Sequence, residues 1–241
     1  MEQKFNPYLN YTSTAMLTGV DEDKLTRRSV EYFIKNIQPH LPSNRKSRIM
    51  EIGCGYGRHI KALQLLGYLN VMGIDISEEQ VEYAKNKLGL NNVEVGDAVT
   101  ILSENKEKYD AILLLDVIEH LELEYSIKLI KLIKFNLNAN GVLIIHTPNA
   151  MTPLSPNRHW DVTHLRAYTT HSMEQTLRLG EFSKMIHFEL LQPVTGIISF
   201  FQRMLWISLV RPLIVIYMLI TQGFLMGGIF TINILTVAYR E

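Results

Sequence analysis

The runs ILLL at residues 112–115 and VLIIH at 142–146 are continuous, with no polar position alternating between the apolar ones. A strand with one wet face alternates apolar and polar side chains. A continuous run suits a strand covered on both faces, as in parallel sheets. These runs sit in a regular setting. Strands are expected at Arg48–Ile52, Asn70–Ile74, Asn92–Val95, Tyr109–Leu115 and Gly141–His146, and helices at Gly57–Leu66, Ser77–Leu88, Ala98–Asn105 and Glu122–Asn136. Ser77, followed by Glu78 and Glu79, reads as a helix N-cap. This order predicts an α/β fold with a doubly wound sheet. Ligands of such sheets bind beyond the carboxyl ends of the strands, so chemistry is expected at the strand tips.

Upstream, Leu25, Val30, Phe33, Ile34 and Ile37 recur at helical spacing and predict a helix from about residue 22 to 38. Pro39–Lys46 reads as a linker with two prolines. No internal repeat or low-complexity tract interrupts the chain. Hydrophobic residues make up 47% of the 241 and charged residues 20%, which supports a sizeable core and argues against global disorder. Lys+Arg and Asp+Glu both number 24, so no electrostatic footprint for nucleic acid is expected. Cys54 is the single cysteine, which excludes intramolecular disulfides and cysteine-rich zinc sites. The first residues, MEQKFNPYLNYTST, lack the apolar core of a signal peptide.

The first expected strand runs directly into EIGCGYG, residues 51–57. Three glycines at alternate positions allow a tight turn and a close approach of backbone to ligand. No Gly-Lys-Ser/Thr follows, so this is not a phosphate loop. Arg58 stands where the dinucleotide pattern would place its third glycine. The second strand ends in GIDIS with Asp75 at its tip, about 20 residues past the glycines, where an acid can accept from ribose hydroxyls. The third ends in VGDA with Asp97 at its tip, where an acid can accept from an adenine amino group. Either acid alone is as well explained as a turn former or N-cap. Together, in order and correctly spaced, they favour a nucleoside site.

EIGCGYG, GIDIS, VGDA and YDAILLLDVIEHL resemble the successive motifs of class I S-adenosylmethionine-dependent methyltransferases over roughly residues 46–150. The resemblance implies a Rossmann-like α/β fold: a seven-stranded mixed sheet with helices on both faces. It implies S-adenosyl-L-methionine as cofactor and S-adenosyl-L-homocysteine as product. It implies Glu51, Gly53, Cys54, Gly55 and Gly57 around the methionine part, Asp75 and Ile76 at the ribose, Asp97 and Ala98 at the adenine, and Asp116 near the sulfonium. Cys54 itself reads as a small filler of the turn and not a nucleophile.

Methyl transfer from a sulfonium is an in-line displacement, so the protein mainly positions the acceptor and, for a hydroxyl, removes a proton. Histidine suits that role near neutral pH. His120 follows the fourth strand, and His164 lies in NRHWDVTHLRAYT, residues 157–169. That block resembles the acceptor region of methyltransferases acting on surface-polysaccharide sugars and of ubiquinone-type O-methyltransferases. His164 is the first candidate base, with Asp161 or Arg166 orienting it, and His120 the second. Capping or structural roles remain open for both. His159, Asp161 and His164 match no specific metal spacing, so no metal site is expected.

Between Thr195 and Tyr239 the only charges are Arg203 and Arg211, and Pro212–Ile232 carries none. Met185–Leu191 and Ile234–Arg240 read as the last two strands, which must share one side of any membrane. The apolar stretch is therefore expected to lie on, or dip into and out of, a membrane surface as an interfacial hairpin. Pro212, Gly223, Gly227 and Gly228 would break it into two short helices. A substrate lid, a homodimer interface and a true spanning helix remain alternatives. The expected organisation is an N-terminal helical segment at 1–45, a core at 46–195, an apolar helical insertion at 196–232 and the last strand at 233–241. The leading expectation is O-methylation of a small-molecule, glycan or lipid-linked acceptor by a cytoplasmic protein in peripheral or monotopic contact with the inner face of the membrane. A soluble enzyme dimerising through the apolar segment and a non-catalytic cofactor-binding protein are the alternatives.

Overall fold

Parallel strands need crossovers, and the chain supplies a helix for each of them. The structure, a computed structural model, describes residues 30–154, 158–191, 193–223, 225 and 227–241. Residues 30–36 are helical (α1) and lead into a 3-10 turn at Gln38–His40; residues 22–29 of the expected helix lie outside the described residues. Then follow β1 (Arg48–Ile52), α2 (Arg58–Leu65), β2 (Asn70–Asp75), α3 (Glu78–Leu88), β3 (Val93–Val95), α4 (Ala98–Glu104) and β4 (Tyr109–Leu115). A 3-10 turn at Ile118–His120 precedes α5 (Leu123–Asn136) and β5 (Leu137–Pro148). The chain closes with α6 (Thr170–Leu179), β6 (Lys184–Glu189), a long apolar helix and β7 (Asn233–Tyr239).

The strands form one sheet in the order β3-β2-β1-β4-β5-β7-β6. β1 to β5 pair in parallel, whereas β7 runs antiparallel between β5 and β6. The continuous apolar runs behave as their composition demands. Met50, Ile112, Leu114 and Leu143 face one core with Leu129, Ile130 and Ile133 of α5 and Met173 and Leu177 of α6. Ile49, Leu113 and Ile144 face the other, with Phe33 of α1, Ile60 and Leu63 of α2 and Val81 and Ala84 of α3. Each such buried aliphatic side chain contributes about 1.5–3 kcal/mol relative to exposure. The period-2 side-chain geometry of a strand thus divides one apolar run between two cores.

Two expectations change. Helix α6 was not foreseen. Its start is closed by a capping box in which the Thr169 hydroxyl accepts from the Ser172 N–H and the Ser172 hydroxyl from the Thr169 N–H. A serine at the third helical position is a weaker sequence signal than Glu or Gln. The apolar segment is also not a pair of short helices. It is one helix from Ile197 to Gln222, made of α7 (Ile197–Leu205), a π turn (Trp206–Val210) and α8 (Arg211–Gln222). Pro212 stands in the first turn of α8, just past the widened turn, so its missing N–H does not break the helix. Gly223, at φ +75°, is the left-handed cap that ends it.

The two ends of the insertion lie close together. Glu189 at the end of β6 lies beside Ile234 at the start of β7, so the insertion leaves and re-enters at one end of the sheet. At 1.5 Å per residue the helix is about 39 Å long. The stretch that follows contains Ile229, Phe230 and Thr231, all buried in the protein. Midway along the helix, Arg211 faces Glu189 at 3.7 Å and donates to the Gly228 carbonyl at 3.3 Å. Arg211 therefore ties the middle of the helix to the fold.

Asn149 fastens that return path. Fully buried after β5, it donates to the carbonyls of Ile229 (3.0 Å) and Thr231 (2.7 Å) and accepts from the Met151 N–H at 2.9 Å. Asn149→Leu leaves two carbonyls and one N–H without these partners. Urea unfolding should show a loss on the order of 3 kcal/mol, while an exposed control, Leu154→Ala, should change little.

Candidate functional site

The turn after β1 is built from backbone. The N–H groups of Gly53 and Cys54 both donate to the Ile74 carbonyl, at 2.8 and 3.0 Å, and Gly57 N–H closes on the Cys54 carbonyl at 2.9 Å. Gly53 has φ +71°, and a Cβ there would lie 2.4 Å from Val117 Cγ2. Gly57 has φ +85°, and a Cβ there would lie 2.3 Å from Leu90 Cδ1. The first glycine keeps the turn close to the chain after β4; the third lets helix α2 sit against α3 and Leu90.

Asp75, at the tip of β2, takes the Gly55 N–H on one carboxylate oxygen at 2.7 Å and the Ser77 N–H on the other at 2.8 Å. Burial pushes its pKa up, against the lowering effect of the N–H groups of Ser77, Gly55 and Ile76. Asp97 is the N-cap of α4. It accepts from Thr100 N–H at 2.8 Å and from the Tyr125 hydroxyl at 2.5 Å. Burial raises its pKa, but those donors outweigh it and the net direction is down. Cys54 is buried against Gly73, and burial followed by the Glu51 and Asp75 carboxylates pushes its thiol far up. A thiol so held is no nucleophile.

These tips enclose a cavity of about 540 Å³, of the size that small-molecule sites have. Gly53, Cys54, Gly55, Asp75, Ile76, Asp97, Ala98, Asp116 and His120 all line it. Glu51 and Gly57 stand one layer behind. The Glu51 carboxylate is buried, with one oxygen 2.7 Å from His59 Nδ1 and the other, Oε2, buried without a hydrogen-bond partner. His164 is also outside the wall, but its ring packs edge-on against His120 with centroids 4.6 Å apart.

Asp116 follows β4 in a left-handed conformation, φ +58°, which aims its side chain at the cavity. His146 Nδ1 lies 2.6 Å from its carboxylate, and His146 Nε2 lies 3.0 Å from the Tyr32 hydroxyl. With a neutral imidazole, Tyr32 donates to His146 and His146 donates to Asp116. Arg58 adds a cation 3.8 Å away. Burial alone would raise the Asp116 pKa; His146 first, then Arg58 and His59, hold it well below the usual carboxylate range. A second cavity of about 210 Å³ adjoins here, walled by Tyr32, Phe33 and Ile37 of the N-terminal segment and sharing Arg58, His59 and Asp116 with the first.

Glu119 is the residue that sequence reasoning passed over. It is fully buried in the 3-10 turn between Ile118 and His120, and one carboxylate oxygen accepts from the Thr147 hydroxyl at 3.0 Å. Burial and then the Asp116 carboxylate push its pKa well above the usual value. Its own carbonyl accepts from Leu165 N–H at 2.9 Å and Arg166 N–H at 3.3 Å, which docks the segment carrying His164. Asp161 serves His120 through an intermediary: its carboxylate accepts from the Thr163 hydroxyl at 2.6 Å, and that oxygen lies 2.8 Å from His120 Nδ1. Arg166 faces Glu122 at 3.8 Å. His159 is exposed. Burial, followed by His164, lowers the His120 pKa. The signal for Glu119 was present in DVIEHL, where an acid immediately precedes the chosen histidine.

Residues 25–193 match the methyltransferase-domain family. A ubiquinone biosynthesis O-methyltransferase of Rickettsia typhi is 32% identical over 124 residues, covering 50% of this chain and 48% of that protein. The chain thus spans about half the length of the curated relatives it matches. Among solved structures, a SAM-dependent methyltransferase from Archaeoglobus fulgidus superposes with a TM-score of 0.64 at 18% identity, covering 91% of this chain and all of that one. A Haemonchus contortus phosphoethanolamine N-methyltransferase in complex with S-adenosyl-L-methionine superposes with a TM-score of 0.61 at 14% identity, covering 98% and 60%.

Two outcomes follow from this geometry. Gly53→Ala, which strains φ and meets Val117, should weaken S-adenosylmethionine binding in calorimetry by tenfold or more, about 1.4 kcal/mol. Asp116 is stabilised as the anion in the folded state. Its contribution is complete above about pH 4 and disappears as pH falls toward its depressed folded value. The stability gap between wild type and Asp116→Asn should therefore narrow on acidification; denaturant melts across that range measure it.

Proposed function

The chain belongs to the S-adenosylmethionine-dependent methyltransferase family, and on that premise we propose that it methylates an oxygen of an acceptor carried at a membrane surface. The observation that carries the membrane part is the helix 197–222. It is long and apolar enough to cross a bilayer, yet only 6% of its most apolar stretch is buried against the protein. Ile198 is 73% exposed and Ile220 78% exposed, with Phe201, Ile216 and Tyr217 also outward. An apolar surface of this extent marks an interaction site. Because both ends of the helix return to one end of the sheet, a position along the lipid interface fits better than a crossing. Arg203 acts on Lys35 of α1, so the helix passes the segment whose Tyr32 and Phe33 wall the smaller cavity. A lipid-borne acceptor would then enter beside the Asp116 end of the site.

The cofactor fits the larger cavity on chemical grounds. A glycine turn brings bare backbone to its floor, Asp75 offers a carboxylate to ribose hydroxyls, and Asp97 offers one at the adenine end. Asp116 places a stabilised anion where a sulfonium and an ammonium would lie. Bound there, the cofactor supplies an electrophilic methyl group. Glu51 and Gly57 act indirectly, by fixing His59 and the start of α2. His120 and His164 stand at the acceptor end and serve to make the acceptor hydroxyl nucleophilic. The Rickettsia relatives are ubiquinone biosynthesis O-methyltransferases, which favours oxygen as the atom methylated and a quinone-type or similarly amphiphilic acceptor. The location that goes with this reading is the cytoplasmic face of a membrane.

Purified protein should bind S-adenosylmethionine, transfer a labelled methyl group to lipid, quinone or glycan acceptors, and sediment with anionic liposomes. Deleting the whole insertion is a poor test, because Ile229, Phe230 and Thr231 belong to the core. Ile198→Asp, Phe201→Asp and Ile220→Asp combined should abolish sedimentation and leave cofactor affinity within about twofold. Full-length protein that stays in the supernatant as a monodisperse dimer would favour the homodimer reading and sink the membrane one.

A further inference from the structure

We propose that His146 is a positioning residue of the cofactor site: oriented by the Tyr32 hydroxyl of α1, it fixes the Asp116 carboxylate where the sulfonium and ammonium of the bound cofactor lie. The proposal rests on the reading of the larger cavity as the S-adenosylmethionine site and names what gives that site an oriented anion.

Three observations carry it. The first is a clamp at two points. The Asp116 N–H donates to the His146 carbonyl at 3.0 Å, and Asp116 Oδ1 lies 2.6 Å from His146 Nδ1. Asp116 has φ +58°, a left-handed conformation that a residue with a Cβ keeps only where its surroundings hold it. One residue of the paired strand holds both its backbone and its side chain. The other carboxylate oxygen, Oδ2, is left to Arg58 at 3.8 Å and to the cavity that Asp116 lines.

The second is the order of the protons. An ionised carboxylate brings no hydrogen, so the hydrogen between Asp116 and His146 sits on Nδ1. In a neutral ring the lone pair is then on Nε2, 3.0 Å from the Tyr32 hydroxyl, which donates to it. Burial first, and then the Asp116 carboxylate, push the Tyr32 pKa up, so that hydroxyl keeps its hydrogen. The two rings meet edge to face, with centroids 5.8 Å apart and planes at 83°.

The third is a histidine at the end of an apolar strand. His146 is buried and stands on the same face of β5 as Ile144, which shares a core with Phe33 of α1. A polar ring in that position is costly unless its nitrogens are paired. Both are paired, and both partners, Tyr32 and Asp116, wall the smaller cavity. The hydrogen bonds of this ring therefore lead from α1 to the cofactor end of β4.

The test compares S-adenosylmethionine affinities by calorimetry in full-length variants whose folding is checked by urea melts. An asparagine amide reaches about where a histidine carries Nδ1, and a glutamine amide about where it carries Nε2. His146→Asn therefore keeps a donor for Asp116, and His146→Gln removes it. Binding should weaken roughly tenfold or more in His146→Gln and stay within about threefold of wild type in His146→Asn. Tyr32→Phe should weaken it by about threefold. Asp116→Asn combined with His146→Gln should bind no more weakly than Asp116→Asn alone, because both act through one carboxylate. A role in packing alone predicts the reverse ranking, since asparagine leaves the larger void, and losses that add. Equal affinities in the Asn and Gln variants, or additive losses in the double variant, overturn the proposal. Where His146→Gln fails to fold, Tyr32→Phe with and without Asp116→Asn supplies the same cycle, and additive losses there overturn it too. Unchanged affinity in Asp116→Asn instead overturns the reading of Asp116 as the cofactor's anion, and absence of binding by wild type overturns the reading of the cavity.

Discussion

A single carbonyl, that of Ile74, accepts the N–H groups of both Gly53 and Cys54. This pair of hydrogen bonds to the neighbouring strand pins the turn after β1 to the tip of β2. From the same tip Asp75 reaches back to Gly55 N–H. The contact is possible only because β1 and β2 pair in parallel and in register up to Ile52 and Ile74. A parallel sheet leaves the last carbonyls and N–H groups of adjacent strands at one edge. The turn uses them to hold itself open. Without that constraint, three glycines would form a loose loop with a large entropy cost on ligand binding.

The same edge becomes more polar toward β4 and β5. Asp116, Glu119 and His146 all lie at or just beyond strand ends that are otherwise apolar. Asp116 and Glu119 respond oppositely to this setting. The first has an imidazole, a guanidinium and the cavity for partners, and its anion is favoured. The second is enclosed, meets only neutral donors and faces the first, and its anion is disfavoured. Two carboxylates three positions apart thus carry different charge propensities, and environment rather than residue type separates them. The segment bearing His164 is docked through the backbone of Glu119, so the carboxylate and both imidazoles are positioned by one turn.

Much of this was legible beforehand, for physical reasons. A strand such as Tyr109–Leu115 is visible because burial on both faces forces an unbroken apolar run. The glycine turn and the acids at 75 and 97 are visible because backbone approach and hydrogen-bond acceptance each demand few residue types. Helix α6 was hidden, since Thr169 and Ser172 cap it with short hydroxyl side chains and its apolar face is only two residues deep. Glu119 was hidden because its importance comes from burial against Thr147, a contact 28 residues away that no local pattern records. The Tyr32–His146 contact spans 114 residues and is hidden for the same reason.

The apolar insertion shows where composition stops short of geometry. Lack of charge and a proline predict helix with a break, and the glycines at 227 and 228 predict a turn. What composition does not carry is the closure condition. Because β6 and β7 are antiparallel neighbours, both ends of the insertion must meet, and a straight helix of about 39 Å cannot satisfy this by itself. The stretch after Gly223 supplies the return, fastened by Asn149 and by Thr152, whose hydroxyl donates to the Thr231 carbonyl at 2.6 Å. The cost is a helix with most of its apolar surface turned outward. A fold that needed the helix only for its own core would bury that surface, as it does in α5. Its exposure leaves an apolar surface that the core does not use, and a contiguous apolar surface of this extent marks an interaction site.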